Sequence, residues 1–261
     1  MMTILYEDDA VIVVWKPVGM ESQSSRGFAA DMVSEIQKHI HKDIHRVSPR
    51  SGAPYVGVIH RLDKPVSGVM VYAKEKKAAA ALSKQVQEHQ MTKKYRAVLC
   101  GKPVDNVENL VDYLLKDEKE NVSRIVDKGI NGAKRAELIC RVLESQEVEP
   151  YGCLTLAEIE LKTGRHHQIR VQMAGHGTPL WGDNRYNPMF GGTCGARGVR
   201  GAKDGADDKG GRGRTTAVSC ENVALSAFQL TFFHPVTGRP MTFERLPDGA
   251  IFRRFQTGNP C

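Results

Sequence analysis

The chain has 261 residues, a hydrophobic content of 41% and a formal net charge of +7 at pH 7. No run of residues approaches the roughly 18 apolar residues that a membrane span needs. The six cysteines are scattered without a CxxC pair, which argues against a disulfide framework and against a zinc site of the usual spacing. The charge favours an anionic partner such as a nucleic acid, although a soluble basic protein has the same composition.

The N-terminal part predicts two strands and a helix. Residues 3–15 have the pattern of two short strands around a turn at residues 7–9. Apolar residues then recur every four positions, which predicts a helix over residues 27–40. A basic loop is predicted over residues 39–50. No secretory leader or Arg-rich presequence precedes the first strand, so we expect a cytosolic protein.

The remaining elements are mainly strands. A second helix is predicted over residues 75–90, with an apolar stripe of Ala78, Leu82 and Val86. Strands are predicted at residues 56–59, 69–73, 94–100, 136–143, 154–161, 223–232 and 240–244. Because the strands cluster and do not alternate with helices, the pattern predicts an α+β fold with a mixed, mostly antiparallel central sheet flanked by helices and loops.

The segment from His60 to Gly68, with the sequence HRLDKPVSG, joins two of these predicted strands. It must turn through a polar stretch with a proline and a glycine, and loops held by rigid strands often bear catalytic groups. Asp63 lies between Arg61 and Lys64, and nearby positive charge favours its ionised form. Such a carboxylate suits a nucleophile or general base that acts on an anionic polymer, whereas a merely structural Asp63 would cap the turn or pair with Arg61.

This segment resembles the central HRLDxxTSG motif of the RluA-type pseudouridine synthases, with Val66 in place of Thr. Family members often have His where Ser226 stands, and Thr where His166 stands. Further segments resemble the family in the same order, so that the resemblance covers roughly the whole chain. These segments are residues 5–9 and 11–19 with Lys16-Pro17, residues 93–98, residues 162–171, Gly182-Asp183 with Tyr186, residues 233–235 and residues 241–243.

The resemblance implies a single pseudouridine synthase catalytic domain over residues 1–261, without the S4-like domain that some relatives carry. It implies an RNA partner, ribosomal or transfer RNA, in which a uracil is detached from its ribose, rotated and rejoined through carbon 5. Because this reaction includes no redox or group-transfer step, we expect no cofactor and no metal. We further expect a monomer without membrane attachment. The alternative is an RNA-binding module or RNA chaperone that kept the fold and lost catalysis.

The resemblance assigns catalytic roles to Asp63, Tyr95 and Arg170. Asp63 either attacks the anomeric carbon or takes a proton from the sugar, because a cation-like sugar is stabilised by a carboxylate. Arg170 is its expected ion-pair partner, on a strand whose alternation of Gln168, Arg170 and Gln172 gives one polar face. The ring of Tyr95 is expected to stack on the extruded uracil. Without these roles, Arg170 would be a solvated strand residue and Tyr95 a half-buried strand aromatic.

Five further residues are expected to bind the RNA or the substrate. Arg61 fills the gap that the extruded uridine leaves in the base stack. His60 supports the loop or contacts RNA, and Lys16 either contacts a phosphate or marks a Lys-Pro turn. Leu62 and Ile169 are expected to form the wall of the pocket.

Two segments are not assigned a function. His39, His41 and His45 have no nearby thiolate, so we interpret them as surface histidines. Residues 191–216 contain nine glycines, six Lys or Arg and no aromatic residue. Such a composition predicts a disordered insertion, or alternatively a basic flap that touches RNA phosphates.

Overall fold

A computed structural model describes residues 2–24, 30–45, 53–191 and 222–255. It contains eleven strands: β1 Thr3–Glu7, β2 Val11–Lys16, β3 Gly57–Val58, β4 Ser67–Ala73, β5 Thr92–Cys100, β6 Val107–Asp117, β7 Val122–Val126, β8 Lys134–Val148, β9 Gly152–Leu161, β10 Leu225–Phe233 and β11 Pro240–Glu244. The helices are α1 Met32–His45, α2 Lys76–Gln87, α3 Gln168–Gly175 and α4 Ala250–Arg253, with a 3₁₀ turn at Pro188–Phe190. Every strand predicted from the sequence is present except the one predicted around Arg170.

The strands form one sheet with the order β1-β2-β4-β10-β5-β9-β8-β6-β7, in which β3 also pairs with β4 and β11 with β10. The pairs are antiparallel except for β4 and β10, which run parallel. This arrangement confirms the predicted α+β class. Strands from the two ends of the chain, β4 and β10, thus meet at the centre of the sheet beside β5.

Both faces of the sheet are covered around β2. Ile12 and Val14 pack in the same core cluster as Met32 and Ile36 of helix α1. The alternate residues of β2 pack in a second cluster, together with Leu82 of α2. All six residues of β2 are therefore buried, and the two helices lie on opposite faces of this half of the sheet.

Helix α1 differs in its bounds from the prediction. It begins after Asp31, whose carboxylate accepts the N–H of Ser34 at 2.7 Å while the Ser34 hydroxyl accepts the N–H of Asp31 at 3.0 Å. These reciprocal bonds satisfy groups that a helix start leaves open. The predicted basic loop over residues 39–50 is wrong for residues 39–45, which continue the helix. The four-residue spacing of Ile36, Ile40 and Ile44 continues through them, and residues 46–52 lie outside the described residues.

Residues 168–172 form the start of helix α3, so the predicted strand alternation is wrong. All residues from Gln168 to Met173 are buried. A helix that is buried on every side has no polar face, and its sequence therefore lacks the amphipathic period that indicates a helix. The consequence for the site is that Gln168 and Arg170 leave the helix in different directions.

The structure has a hairpin, β6–β7, between residues 100 and 136, where no element is predicted from the sequence. Residues of β6 alternate between buried and exposed positions, with Leu110, Asp112 and Leu114 on the buried side. That alternation, with polar residues 117–121 at the turn, is the signal that predicts a hairpin. The hairpin borders the site, because Ser123 of β7 contacts His166, two residues before α3.

The predicted insertion at residues 191–216 lies outside the described residues, except for Gly191. Within the described ranges, no helix is both long and apolar enough to cross a membrane.

The parallel contact of β4 with β10 requires glycine at position 68. Gly68 has a φ of +150°, and a Cβ built there would lie 2.5 Å from both the Cβ and the carbonyl oxygen of Ala227. Contacts under 3.0 Å to backbone atoms force the strands apart. The close approach places the loop that follows His60 directly against the centre of the sheet.

We expect Gly68→Ala to lower the free energy of unfolding by about 3 kcal/mol, because both overpacking and backbone strain act at this position. Chemical denaturation of the full chain measures this. Gly129→Ala is the matched control, since nothing lies within 4 Å of a Cβ at that position. Equal stability of the two variants would contradict the proposed close approach.

Candidate active site

The loop between β3 and β4 presents Asp63 at the surface of a large cleft. The N–H of Val66 donates to the Asp63 carbonyl at 3.0 Å and closes the turn. Ser22 fixes Leu62, the residue before Asp63, through two hydrogen bonds. Its hydroxyl donates to the Leu62 carbonyl at 2.8 Å and accepts the Leu62 N–H at 3.0 Å. The Asp63 side chain remains 31% exposed, so that the backbone of the loop is fixed while its carboxylate faces the cleft.

Arg170 lies beside Asp63, as predicted, but its main partner is Asp183. Its Nε and Nη2 atoms donate to the two carboxylate oxygens of Asp183 at 2.8 and 2.7 Å. The third nitrogen, Nη1, lies 3.5 Å from Oδ2 of Asp63. Burial alone would lower the pKa of Arg170, but the hydrogen bonds and charge of Asp183, with the charge of Asp63, raise it above its ordinary value. The guanidinium is therefore a fixed positive charge that is shared unequally between two carboxylates.

Asp183 is itself buried and fixed by backbone hydrogen bonds. It is 1% exposed, and its Oδ1 also accepts the N–H groups of Arg185 and Tyr186, at 2.9 and 3.2 Å. Charge-assisted bidentate pairs of this kind have a fixed geometry. Asp183 receives no role from the sequence beyond its place in the resemblance. A buried arginine requires a carboxylate partner, but tertiary contacts decide which carboxylate that is.

His167 also faces Asp63. Its Nε2 lies 3.6 Å from Oδ2 of Asp63, and its Nδ1 lies 2.8 Å from the hydroxyl of Tyr186. Burial, followed by the charge of Arg170, lowers the pKa of His167 to about 2. The ring is therefore neutral at physiological pH. Neither His167 nor Tyr186 was among the residues given a role from the sequence.

Tyr95 is buried on β5 and lines the same cleft as Asp63. Burial and the nearby charge of Asp63 raise its pKa above the ordinary value. Its hydroxyl thus keeps its proton under all physiological conditions. The structure brings Tyr95, Asp63 and Arg170 to one cleft, as the sequence analysis expected.

Lys16 does not lie where a phosphate contact requires it. The side chain is fully buried, and its ammonium donates to the carbonyls of Pro17, Met20 and Lys64 at 3.1, 2.6 and 3.3 Å. All three protons are used within the protein. Burial lowers the pKa of Lys16 to about 8, against the opposing effect of Asp63. The prediction that Lys16 contacts RNA directly is therefore wrong. Lys16 instead connects the segment after β2 to the loop of Asp63 through these hydrogen bonds.

The other predicted residues divide between the wall and the rim of the cleft. His60 accepts the N–H of Val71 at 3.3 Å through Nε2, and burial, followed by the charge of Lys93, lowers its pKa to about 3. This neutral ring supports the loop. Leu62 and Ile169 are buried and line the cleft, and Arg61 is exposed at its rim.

The cleft has a volume of about 1010 Å³ and a strongly positive lining. Eight of its lining residues are Lys or Arg, and only Glu21 and Asp63 are acidic. The exposed cations are Arg61, Lys64, Lys116, Lys162, Arg165 and Arg185. A concave surface with this charge concentrates anionic polymers. The described residues contain no group of three or more His, Cys, Asp or Glu side chains that would bind a metal ion.

The positions that depart from the family motif are accommodated. Val66 is buried in the core beside Leu62. The hydroxyl of Ser226 lies in a hydrogen bond with the hydroxyl of Ser67 at 3.0 Å and also donates to the Ser67 carbonyl at 3.3 Å. The Val66 side chain has no polar atom, and the Ser226 hydroxyl is hydrogen-bonded. These two departures therefore do not disturb the loop of Asp63.

Comparison with solved structures identifies the fold as that of a pseudouridine synthase. The structure of human RNA pseudouridylate synthase domain containing 4 superposes with a TM-score of 0.69 at 21% identity, and covers 99% of this chain and 95% of its own. Human RNA pseudouridylate synthase domain containing 1 gives a TM-score of 0.63 at 19% identity, over 95% of this chain and 84% of its own. Likeness at these identities establishes the fold alone.

Sequence comparison then establishes the family. The profile of the RNA pseudouridylate synthase family matches residues 10–175, and the chain belongs to this family. Ribosomal large subunit pseudouridine synthase C of Salmonella typhimurium is 31% identical over 97% of this chain and 69% of its own length. The family and the enzyme class predicted from the sequence are thereby confirmed.

Two further relatives are longer than this chain. Ribosomal large subunit pseudouridine synthase D of Neisseria meningitidis serogroup A is 34% identical over 95% of the chain, and tRNA pseudouridine synthase C of Pectobacterium carotovorum is 30% identical over 94%. The chain spans 59% and 58% of their lengths.

We expect Asp183→Asn to lower the free energy of unfolding by about 3–5 kcal/mol, because it leaves the buried charge of Arg170 without its bidentate partner. Chemical denaturation gives the value. Asp127→Asn is the control, since this exposed carboxylate lies outside the cleft. Two variants of equal stability would show that the ion pair does not hold the site together.

We expect Lys16 to lose its proton as the pH rises through about 8, which leaves two N–H donors for three carbonyls. The amide of Gly19, which donates to the same Lys64 carbonyl at 2.9 Å, reports this in two-dimensional NMR spectra recorded from pH 6 to 11. Its resonance should shift with a midpoint near 8, and the titration should be absent in Lys16→Met. A midpoint at the ordinary lysine value would contradict the burial described here.

Proposed function

We propose that the protein is an RNA pseudouridine synthase that isomerises specific uridines in ribosomal or transfer RNA. The observation that carries the proposal is the partly exposed carboxylate of Asp63, which lies beside the buried guanidinium of Arg170 in a positively charged cleft that Tyr95 also lines. The names of the relatives support the two classes of RNA.

Asp63 is proposed to act on the sugar. Cleavage of the bond between ribose and uracil develops positive charge at the anomeric carbon, which a neighbouring carboxylate stabilises. The carboxylate either attacks that carbon or removes a proton from the sugar, and both routes use the same position. Arg170 orients it through Oδ2, so that Oδ1 is the oxygen available to the substrate.

Tyr95 is proposed to hold the detached uracil. Because burial and the charge of Asp63 keep its hydroxyl protonated, it acts as a hydrogen-bond donor and a stacking surface, and does not begin the reaction as a base. Retention by stacking lets the uracil rotate before carbon 5 bonds to the sugar. Carbon 5 then loses a proton, and nitrogen 1 gains one, so that the product is an isomer of the substrate.

The rim of the cleft is proposed to bind the RNA strand. A uridine inside folded RNA must leave the base stack, which costs a few kcal/mol. Arg61 is exposed at the rim, and its planar guanidinium is suited to fill the vacated place. The other rim cations neutralise phosphates. Absence of a cofactor, a monomeric state and a cytosolic location stay predictions.

The test is tritium release from RNA that contains uridine labelled at carbon 5, because this proton is lost only when pseudouridine forms. We expect the parent protein to release tritium and Asp63→Asn to lose at least about 1000-fold in rate, since the amide is a poor nucleophile and base. RNA affinity, measured by filter binding, should change little. Asp9→Asn in the β1–β2 turn outside the cleft is the matched control.

The alternative is an RNA-binding module or RNA chaperone with the same fold. It predicts that the parent and Asp63→Asn bind RNA equally and that neither releases tritium from ribosomal or transfer RNA. That outcome would reject the enzymatic proposal.

A further inference from the structure

One cation in the wall of the cleft differs from the others. Of the eight Lys and Arg side chains that line the cleft, six are exposed, and Arg170 is paired with Asp183. The remaining cation is Lys93 on β5, which is only partly exposed. No hydrogen bond or ion pair joins Lys93 to any other residue that the structure describes.

The other lysines of the cleft all have a nearby acidic partner. Each of them has a carboxylate within 4.0 Å: Lys64 with Glu21, Lys116 with Glu118, and Lys162 with Glu160. These lysines are more exposed than Lys93, and water already solvates their charge. The lysine that most needs a counter-charge is therefore the one that lacks it among the described residues.

The environment of Lys93 contains donors without acceptors. Burial lowers the pKa of Lys93, and no neighbouring carboxylate offsets this effect. Next to burial, the charge of Lys93 contributes to the low pKa of His60, which is about 3. Because Nε2 of His60 accepts the N–H of Val71, the neutral ring carries its proton on Nδ1. That buried nitrogen has no hydrogen-bond partner in the described parts of the chain. This wall of the cleft thus has an excess of donors.

The ammonium of Lys93 lies against the segment that leads to α3. A Cβ built at Gly164 would lie 3.7 Å from Nζ of Lys93. The same segment contains Lys162 and Arg165, two of the exposed cations of the rim. The ammonium is therefore next to a stretch of chain that already attracts phosphates from outside the cleft.

Lys93 is also a neighbour of the proposed uracil site. Lys93 and Tyr95 are two residues apart on β5, so their side chains leave the strand on the same face. Such residues are separated by about 7 Å along a strand, and both line the cleft. A group that binds to Lys93 is thus adjacent to the base that Tyr95 is proposed to hold.

We propose that Lys93 binds a phosphate that flanks the target uridine, so that the RNA supplies the counter-charge that the protein lacks at this point. The inference rests on the proposed function, because it concerns the RNA that enters the cleft of Asp63. A lysine ammonium binds phosphate as a compact point charge. A neutral carbonyl of uracil would accept a hydrogen bond but would leave the buried charge uncompensated. The phosphate is that on the 5′ or on the 3′ side of the uridine.

The first experiment measures what the ammonium does for the fold. Lys93→Met keeps an unbranched side chain and removes the charge. Because this charge has no partner among the described residues, we expect the midpoint of chemical denaturation to stay at or above that of the parent. Lys16→Met is the contrast, since it removes an ammonium that donates to three carbonyls and should lower the midpoint. A lower midpoint in Lys93→Met would overturn the inference.

The second experiment detects the phosphate directly. In protein labelled with ¹³C at the lysine ε carbon, the resonance of Lys93 is assigned by its absence from Lys93→Met. The probes are uridine 5′-monophosphate, uridine 3′-monophosphate and uridine. We expect the nucleotides to shift this resonance and uridine to leave it nearly unchanged, and the nucleotide that binds more tightly identifies the phosphate. An equal shift with uridine would overturn the inference. No shift at nucleotide concentrations that move the ring resonances of Tyr95 would do the same.

The third experiment counts the contact in RNA by filter binding to ribosomal and transfer RNA transcripts at increasing salt. Each phosphate contact with a single strand contributes about 0.7 to the slope of log K against log salt. We expect Lys93→Met to lose about that much slope and Lys93→Arg, which keeps the charge, to lose none. Lys102→Met is the matched control, because this exposed lysine follows the other end of β5 outside the cleft.

Equal slopes in Lys93→Met and Lys102→Met would overturn the inference. The failure of the proposed function has a different signature. A parent protein whose Lys93 responds to the nucleotides, but which releases no tritium from ribosomal or transfer RNA, would reject the enzymatic activity and leave the phosphate site in place.

Discussion

The site depends on the buried ion pair between Arg170 and Asp183. Two of the three guanidinium nitrogens bind Asp183, and only the third faces Asp63. An arginine bound in bidentate fashion to Asp63 would occupy both of its oxygens and leave neither available for the proposed reaction. Because Asp183 satisfies most of the guanidinium, the buried charge is stable and still orients Asp63 from 3.5 Å. Asp183 thus stabilises the buried charge of Arg170, while the remaining nitrogen of Arg170 orients Asp63.

The sheet brings these groups together from distant parts of the chain. Asp63 follows β3, Tyr95 lies on β5, and Arg170 lies on α3 after β9. Strand β10 pairs with both β4 and β5, so the end of the chain connects the loop of Asp63 to the strand of Tyr95. The close contact at Gly68 is the point where this connection is tightest. The arrangement of Asp63, Tyr95 and Arg170 in one cleft is thus a consequence of strand order more than of local sequence.

The sequence predicted the α+β class and most of the strands, because period-two patterns are local signals. The motif around Asp63 is local as well, and the structure places Tyr95 and Arg170, which the resemblance indicated, in the same cleft. The sequence did not predict helix α3, since a helix buried on every side has no amphipathic pattern. It left Lys16 between a phosphate contact and a Lys-Pro turn, because a lysine is ordinarily exposed. The three carbonyls around its ammonium show that it is a structural cation. Partners of a buried charge, such as Asp183, are set by tertiary contacts that spacing alone does not specify.

Besides Lys93, the cleft contains two kinds of positive charge: exposed cations at the rim, and buried cations near Asp63. Exposed lysines and arginines of this kind attract phosphates over distance. The two buried cations whose charge acts on Asp63 are engaged within the protein: Arg170 with Asp183, and Lys16 with three carbonyls. His167, which lies as close as Arg170, is neutral. Arg170 and His167 therefore orient the carboxylate of Asp63, and neither forms a tight ion pair with it. The proposed action of Asp63 on the sugar needs this balance on either route, because a stronger pairing would have to be broken before the carboxylate reaches the sugar.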